Sequence, residues 1–387
     1  MTLPRPAITA MKPYIPGASI QQVQADTLSS TWVKLNQNEN PLGASPRALE
    51  AVAASLPSIH QYPQASALPL LKKLQPYWSL PEECFVVGNG SDEVFRLIGE
   101  TYLNQGDKVV LPTPTFAGYA LVAELMAAQV ITIPLLDNRL HLSAIAEEAS
   151  QIKAKAVFLC RPNSPTGTVF PADEFHLFMS LVPKECLVIL DEAYREFDDS
   201  DFDSRQFIQH HPNLIITRTF SKMYGLAGLR LGYGVMSPQV AAPIRTARDP
   251  FSVNGLALAA GAAALDDLEH QRRSIAVVEE GKSYLYNAFK RLGIEFMVSH
   301  SNFVLFSTPF PALSIYNSLL SHRVLVRPCN SFGLPTSLRV TVGTREQNER
   351  VTAALSHVLE ELRATLPVSV ARSAGEQPKS TTGRISS

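Results

Sequence analysis

Short apolar runs that alternate with amphipathic segments limit this chain to a few folds. Residues 156–160, 187–190 and 214–216 are apolar along their whole length, without the polar alternation of a half-exposed strand. A strand has this composition when helices cover both faces of its sheet. Similar runs at 109–111 and 130–133 alternate with helical patterns as far as about Val235. The pattern predicts an α/β unit built on a mostly parallel sheet with covering helices.

The pattern changes beyond this region. One long helical region is predicted from about Val253 to Arg291, and strand-like segments follow at 302–306, 324–326 and 338–342. In the last of these, Leu338, Val340 and Val342 alternate with polar residues. These segments predict a second, smaller sheet. A chain of 387 residues is long enough for one large unit and one smaller unit.

A carboxylate follows the apolar run 187–190. Ligands of α/β proteins collect at the carboxyl ends of the strands, so Asp191 is placed to meet one. An acid here can pair with a protonated ring nitrogen, as pyridoxal phosphate requires. Tyr194, three residues later, is placed to hydrogen-bond the ring hydroxyl of such a cofactor. A lone acid at this position is equally typical of a helix N-cap.

A lysine follows the next strand along the chain. Lys222 comes after the run 214–216, among the hydroxyl residues Thr219 and Ser221, and Arg230 follows eight positions later. A lysine in this setting suits a Schiff base with an aldehyde cofactor, whose phosphate the hydroxyls and the arginine can bind. Lone lysines mostly lie on the surface. The pairing with a second strand-end residue, the carboxylate described above, favours a cofactor site.

Glycines predict an anion site at a third strand end. The run Cys84–Val87 leads into Gly88, Asn89 and Gly90 and then into a helical pattern. Glycines allow a tight turn, and free amides at a helix N-terminus bind anions. A dinucleotide fingerprint would need a third glycine where Glu93 stands, so the signal for NAD is weak.

The order and spacing of these segments resemble the fold-type I pyridoxal-phosphate aminotransferases, and finer features resemble the histidinol-phosphate aminotransferases among them. The resemblance runs from about Pro13 to about Leu362. The residues that carry the general resemblance are Gly90-Ser91-Asp92, Pro162-Asn163-Ser164-Pro165-Thr166-Gly167, Asp191-Glu192-Ala193-Tyr194 and the stretch Ser221 to Arg230. The finer features are Leu35-Asn36-Gln37-Asn38-Glu39-Asn40-Pro41, Gln61-Tyr62-Pro63, Gly225 to Arg230 and Leu338 to Thr344.

The resemblance implies an α/β fold of type I, with a mostly parallel seven-stranded sheet between helices in a large domain and a smaller α+β domain. The expected divisions are an N-terminal arm at 1–41 that joins the small domain, a large cofactor-binding domain at 42–260 and a small domain at 261–366. Residues 367–387 are rich in serine, threonine and charge, which predicts a disordered tail.

The resemblance also implies a pyridoxal 5′-phosphate site and a role for each matching residue. Lys222 would bind the cofactor as a Schiff base and move a proton between substrate and cofactor. Asp191 would keep the ring nitrogen protonated. Tyr194 and Asn163 would bind the ring hydroxyl, and Phe116 would stack on the ring. The phosphate would be bound by Gly90, Ser91, Asp92, Thr219, Ser221, Arg230 and, from the other subunit of a homodimer, Tyr62.

Three positions depart from the family pattern. The family usually has asparagine directly before the proline of its Pro-Thr-Gly turn, where this chain has Ser164. Either Asn163 shifts to meet the ring hydroxyl or Ser164 makes a weaker contact. Phe116 and Phe251 stand where tyrosine is more usual, and the second change removes a possible donor to a substrate phosphate.

The implied reaction moves the amino group of L-histidinol phosphate to 2-oxoglutarate in histidine biosynthesis. Both substrates are dianions, which calls for fixed positive charge. Arg339 is a candidate for bidentate binding of a carboxylate, supplemented by Arg327, Asn38 and Tyr14. Three alternatives remain open: an aromatic amino acid aminotransferase, a threonine-phosphate decarboxylase and a non-catalytic regulatory module.

Composition argues against other classes. The chain has 34 basic and 35 acidic residues, a balance that does not favour nucleic-acid binding or a polybasic membrane surface. Its four cysteines are far apart in sequence and its histidines lack metal-ligand spacing, so neither disulfides nor a metal are expected. The N-terminus lacks a secretory signal pattern, and a cytoplasmic location is expected.

Overall fold

The computed structural model of the chain describes residues 2–11 and 32–364. These residues form thirteen α-helices: α1 Pro6–Ala10, α2 Pro46–Ser55, α3 Leu68–Trp78, α4 Ser91–Tyr102, α5 Gly118–Leu125, α6 Leu142–Gln151, α7 Ala172–Leu181, α8 Arg205–Ile208, α9 Pro238–Ala247, α10 Gly255–Leu265, α11 Leu268–Leu292, α12 Ala312–Ser321 and α13 Arg345–Ala364. No described helix combines the length and apolar composition needed to cross a bilayer.

The described residues also form thirteen strands, divided among three sheets. They are β1 Val33–Lys34, β2 Phe85–Gly88, β3 Lys108–Thr113, β4 Gln129–Pro134, β5 Ala156–Cys160, β6 Leu187–Asp191, β7 Leu214–Thr219, β8 Gly232–Val235, β9 Glu295–Phe296, β10 Phe303–Ser307, β11 Val324–Leu325, β12 Arg327–Pro328 and β13 Ser337–Thr341.

The large sheet has seven strands in the order β2-β8-β7-β6-β5-β3-β4. Only β8 runs against its neighbours, and every other adjacent pair is parallel. The predicted α/β fold with a mostly parallel seven-stranded sheet is therefore confirmed.

Burial on both faces explains why the central strands are continuously apolar. In β6, Val188 and Leu190 join the apolar cluster on one face of the sheet, whereas Leu187 and Ile189 join the cluster on the other face. All five residues of β6 are buried. A polar side chain inside such a strand would lose its water without gaining a partner, so polar groups concentrate where the strands end.

The second unit is a four-stranded antiparallel sheet in the order β12-β13-β10-β9. Its apolar cluster includes residues of α11, α12 and α13. The N-terminal segment joins this unit because β1 pairs with β11, in a parallel register of Val33 with Val324. The domain boundaries near residues 41, 260 and 366 stay predictions.

The helical region that was predicted from Val253 to Arg291 divides into α10 and α11. The break falls at Asp267, whose carboxylate caps α11 by accepting from the His270 amide and also accepts from the Ser45 hydroxyl. The cap satisfies a backbone donor that a continuous helix would bond internally. The predicted tail at 367–387 and residues 12–31 of the predicted arm lie outside the described residues.

Gly225 provides a test of how tightly the loop after β7 packs. Gly225 and Gly43 both have left-handed backbone, with φ of +67° and +76°. A Cβ on Gly225 would lie 2.1 Å from the Gly43 carbonyl oxygen, whereas a Cβ on Gly43 meets nothing within 4 Å. Gly43→Ala should cost about 1 kcal/mol of unfolding free energy through backbone strain alone. Gly225→Ala should cost about 3 kcal/mol because the backbone must also move.

The measurement is thermal or urea unfolding of the two variants beside the parent chain. Equal losses for the two substitutions would contradict the packing of this loop against residues 43 and 44.

Candidate active site

The carboxyl ends of four strands meet at one cavity of about 490 Å³. Strands β2, β5, β6 and β7 run in the same direction, so their last residues and the segments that follow share one edge of the sheet. The cavity also borders the smaller unit. Its described lining is Asn36, Gln37, Asn38, Glu39, Ser91, Asp92, Phe116, Cys160, Ser164, Asp191, Ala193, Tyr194, Thr219, Ser221, Lys222, Ala227, Arg230, Arg327, Phe332 and Arg339.

Asp191 is a buried carboxylate held by three donors. The Tyr119 hydroxyl donates to Oδ2 at 2.6 Å, while the Thr217 hydroxyl and the Ala193 amide donate to Oδ1 at 3.2 and 3.1 Å. Burial raises the pKa of Asp191 to about 6, and the hydrogen bonds from Tyr119 and Thr217 limit that rise. The group is thus mainly ionised at pH 7, which lets it balance a positive charge in the cavity.

Lys222 is half-buried in the wall of the same cavity. Its Nζ donates to the Gln37 carbonyl oxygen at 2.9 Å and lies 5.8 Å from the centre of the Tyr194 ring. Burial lowers the pKa of Lys222 to about 8, and the positive charge of Arg339 adds to the effect. A sizeable fraction of neutral amine at pH 7–8 suits a lysine that attacks a carbonyl carbon.

Tyr194 connects the two units across the cavity. Its hydroxyl accepts from Asn38 Nδ2 at 2.9 Å, and Asn38 in turn accepts from Asn302 Nδ2 through its carbonyl oxygen at 2.9 Å. Asn38 has a left-handed φ of 58°, and its amide donates to the Thr341 hydroxyl at 2.9 Å. The N-terminal segment is therefore fixed to the large and small units at once. Burial raises the pKa of Tyr194 to about 12, so it stays a protonated phenol.

An anion-binding arrangement lies where α4 begins. No side chain caps α4, so its first amides are left for another acceptor. Arg230 bends toward this end with a left-handed φ of 55°, and its guanidinium bonds Asp92 Oδ2 at 3.0 Å and Ser221 Oγ at 3.3 Å. A Cβ on Gly90 would lie 2.4 Å from Arg230 Nη2. Glycine is therefore what lets the guanidinium approach the helix end.

Two arginines of the smaller unit occupy the opposite wall. Arg327 and Arg339 are cross-strand neighbours on β12 and β13, and both are at least nine-tenths buried. Arg339 donates to Ser164 Oγ at 3.0 Å and to the Asn36 carbonyl oxygen at 3.1 Å. Its Nε has no hydrogen-bond partner among the described residues. Two buried guanidiniums side by side, with an unpartnered Nε on Arg339, favour an anionic ligand at this end.

Two of the residues predicted for the site, Asn163 and Tyr62, do not line this cavity. Asn163 is buried in its own turn, where its amide group bonds the Thr115 hydroxyl, the Pro114 carbonyl and the Thr166 hydroxyl. Tyr62 is 83% exposed and stacks on Phe251 at a centroid distance of 4.7 Å. Tyr14 lies outside the described residues. All other predicted site residues line the cavity except Gly90, which precedes Ser91 at its edge.

Four residues that line the cavity or bond its groups were not among the predicted site residues, and a fifth, Ser164, was predicted only as an alternative to Asn163. Tyr119 and Thr217 bond Asp191 from α5 and β7, and nothing in their spacing from that carboxylate signals the contact. Gln37 and Glu39 flank Asn38, so proximity in sequence could have indicated them. Ser164 occupies the position at which the family pattern fails, and that departure was itself a signal.

The groups gathered here are those that an aldehyde cofactor with a ring nitrogen and a phosphate needs. Lys222 can bond the aldehyde, Asp191 can pair with the ring nitrogen, and the α4 amides with Arg230 can bind the phosphate. The absence of a side chain on Gly90 lets the guanidinium approach the N-terminus of α4, which supports this fit. The fold and the site together are typical of pyridoxal-phosphate-dependent transferases.

The sequence profile of aminotransferase class I and II matches residues 30–355, so the chain belongs to this family. A histidinol-phosphate aminotransferase of Symbiobacterium thermophilum is 55% identical over 93% of this chain and 100% of its own length. A histidinol-phosphate aminotransferase of Moorella thermoacetica is 39% identical over 92% of each chain.

Solved structures agree on the fold. Histidinol-phosphate aminotransferase from Sinorhizobium meliloti, in complex with pyridoxal-5′-phosphate, superposes with a TM-score of 0.87 over 94% of this chain and 99% of that chain. The sequence identity in that comparison is 23%.

The lowered pKa of Lys222 predicts an unusual pH dependence of its reactivity. Reductive methylation with formaldehyde requires the neutral amine. For a pKa of about 8, labelling of Lys222 should rise about tenfold between pH 7 and pH 9 and then level off. A lysine at the ordinary value of 10.5 would instead keep gaining about tenfold per pH unit up to pH 10.

Peptide mass spectrometry of the cofactor-free protein, labelled at a series of pH values, measures this profile. Continued growth of the Lys222 signal above pH 9 would contradict the effect of burial on this amine.

Proposed function

We propose that this chain is a pyridoxal-phosphate-dependent transaminase that converts L-histidinol phosphate and 2-oxoglutarate into imidazole-acetol phosphate and L-glutamate. The observation that carries the proposal is the meeting of Lys222, Asp191 and two buried arginines in one cavity. The relative named histidinol-phosphate aminotransferase, 55% identical over its full length, supports this substrate and a place in histidine biosynthesis.

Pyridoxal phosphate, when bound, withdraws electrons from the substrate carbon that carries the amino group, so that this carbon can lose a proton. Asp191 makes this possible by holding positive charge at the ring nitrogen, where Tyr119 and Thr217 fix the orientation of its carboxylate. Phe116, in the cavity wall, offers a face on which the ring can stack.

Lys222 performs the proton transfer. Its Nζ accepts a proton from the substrate carbon and then donates it to the cofactor. Both protonation states of the amine are therefore needed near neutral pH, which suits a pKa of about 8. The hydrogen bond to the Gln37 carbonyl holds Nζ at the cavity wall in the absence of substrate. Gln37 is thus a positioning residue for the proposed base.

Arg339 and Arg327 bind the anionic end of each substrate in turn. Histidinol phosphate presents a phosphate and 2-oxoglutarate presents carboxylates, and a planar guanidinium can bind either in bidentate fashion. Because both arginines are buried beside each other, an anion that joins them also relieves their mutual repulsion. Asn38 contributes through Tyr194, whose hydroxyl it orients.

Ser164 takes the contact with the ring hydroxyl that the family usually assigns to asparagine. The amide group of Asn163 is fully used inside the turn, whereas Ser164 lines the cavity. Its hydroxyl oxygen accepts from Arg339, which leaves the hydroxyl proton for another acceptor. The bonded guanidinium also makes this hydroxyl a stronger donor.

The functional unit is a homodimer in which Tyr62 reaches the phosphate site of the second copy. An exposed Tyr62 stacked on the half-exposed Phe251 is costly on a solvated surface and suits a protein interface. The cytoplasmic location remains a prediction.

An aromatic amino acid is the second candidate donor. Phe116 and Phe332 both line the cavity and give part of its wall an apolar character. A phenyl or phenol ring could be accommodated on this wall without a polar partner.

Absorption spectroscopy tests the proposed reaction. Adding L-histidinol phosphate to the protein loaded with pyridoxal phosphate should replace the visible band of the lysine-bound cofactor by the pyridoxamine band near the ultraviolet. Adding 2-oxoglutarate should reverse the change. Lys222→Ala should bind the cofactor without the visible band and lose at least 1,000-fold in rate, about 4 kcal/mol in the barrier.

Conversion by phenylalanine or tyrosine but not by histidinol phosphate would transfer the assignment to an aromatic aminotransferase. Full activity in Lys222→Ala would refute the mechanism.

The assignment of Ser164 predicts a change in the titration of the visible band. Ser164→Ala removes a donor from the ring oxygen, so the proton shared with that oxygen is held more tightly. The pKa of the band should rise by about one to two units, the equivalent of one hydrogen bond to a charged oxygen. Asn163→Ala is the control. It should lower the melting temperature but leave the pKa of the band unchanged, and the reverse pattern would assign the contact to Asn163.

A further inference from the structure

The charged groups of the cavity wall leave one carboxylate without a part in the proposed reaction. Among the described residues, the wall contains the carboxylates Asp191, Asp92 and Glu39. The proposed function assigns Asp191 to the ring nitrogen of the cofactor, and Asp92 pairs with Arg230. Glu39 remains, on the segment that passes between Lys222 and Arg339.

Glu39 is fixed by an ion pair with Lys34, on the side away from the cavity. Lys34 Nζ bonds both carboxylate oxygens of Glu39 and also approaches Gln37 Oε1 at 3.5 Å. Lys34 lies on β1 and does not line the cavity, so the ion pair anchors Glu39 without filling the space in front of it. A carboxylate offers about four acceptor positions, and Lys34 uses two of them. An acceptor fixed in this way loses little freedom when it binds a ligand.

The negative charge of Glu39 acts inside the cavity. The pKa of Lys222 is lowered by burial and by Arg339, and Glu39 is the strongest influence in the opposite direction. The part of the wall formed by residues 36–39 and the smaller unit thus carries two cations, Arg327 and Arg339, and one anion, Glu39. A ligand that matches it has an anionic group and, elsewhere on the same molecule, a group that donates hydrogen bonds or carries positive charge.

We propose that Glu39 is a specificity-determining residue that accepts a hydrogen bond from the imidazole ring of the amine donor. The inference rests on the proposed function and extends it to the choice of donor. Histidinol phosphate has both matching groups, because the arginines take its phosphate and Glu39 takes its ring N–H. Phenylalanine has no ring donor, and 2-oxoglutarate would bring a second carboxylate toward Glu39.

The protonation of the substrate supplies a signature that a structural role for Glu39 would not give. An imidazole titrates near pH 6.5, so lowering the pH from 8 to 6 converts the ring into a cation with two donors. Attraction to Glu39 then increases. Lys222, Asp191, Arg327, Arg339 and Lys34 also face this region, but they are present in the parent chain and in a Glu39 variant alike.

The test compares the parent chain with Glu39→Gln in the half-reaction, using histidinol phosphate and phenylalanine as donors. Glu39→Gln should lower kcat/KM for histidinol phosphate about tenfold at pH 8, the effect of one hydrogen bond to a charged acceptor. The loss should grow several-fold at pH 6, where the ring is a cation. The value for phenylalanine should change less than about twofold, and KM for 2-oxoglutarate should fall as a repulsive charge is removed.

Two controls separate the possible causes. Glu50→Gln removes the same charge from an exposed position on α2, and it should behave as the parent chain. The visible cofactor band and the melting temperature of Glu39→Gln report whether the fold and the cofactor site are retained. Isothermal titration of histidinol phosphate into Lys222→Ala, with and without Glu39→Gln, measures the same effect on binding without turnover.

Failure of the inference differs from failure of the proposed function. If the parent chain does not convert histidinol phosphate, the proposed function is wrong. If the parent chain converts it and Glu39→Gln does so with the same kcat/KM at pH 6 and pH 8, Glu39 does not contact the ring. An equal loss for histidinol phosphate and phenylalanine would likewise overturn the inference, because it would indicate a general disturbance of the cavity.

Discussion

Burial of charge at one edge of the large sheet is the constraint on which the site depends. The same loss of water raises the pKa of Asp191 to about 6 and lowers the pKa of Lys222 to about 8. The pKa values of this acid and this base, which differ by several units in water, are thereby brought close to pH 7, one below it and one above it. The burial is tolerable because neighbours supply hydrogen bonds, three to the carboxylate and one from the ammonium to a backbone carbonyl.

The segment 36–39 is the second element on which the site depends, because it joins both units at the cavity. Its backbone carbonyls accept from Arg339 and Lys222, and the Asn38 side chain donates to Tyr194. Each of these partners has a proposed role with the substrate or the cofactor. A movement of the smaller unit would therefore change the positions of Lys222 and Tyr194 through these hydrogen bonds, without any rearrangement of the large sheet.

The sequence could predict whatever depends on strand periodicity and strand ends. The apolar runs located β5, β6 and β7, and the rule that ligands meet strand ends predicts that Asp191 and Lys222 lie close together. Contacts between segments that are distant in sequence could not be predicted. Tyr119 reaches Asp191 over 72 positions of sequence, and no spacing rule covers that distance. The break between α10 and α11 was missed although Asp267 is a local N-cap signal, since it accepts from the His270 amide three residues later. Only its contact with the Ser45 hydroxyl lay beyond sequence reasoning.

The reversed direction of β8 makes the loop between β7 and β8 a compact connection between neighbouring strands. Since β7 ends where β8 begins, with Thr219 opposite Gly232, the loop 220–231 leaves and re-enters the sheet at neighbouring positions. Lys222 and Arg230 are thus two points on one closed hairpin-like loop rather than parts of separate crossovers. Because both ends of the loop are fixed in the sheet, an insertion or deletion within it would displace the amine or the guanidinium relative to the sheet. This loop should therefore keep its length during evolution while the peripheral helices vary, and it is the natural unit to transplant between scaffolds of this family.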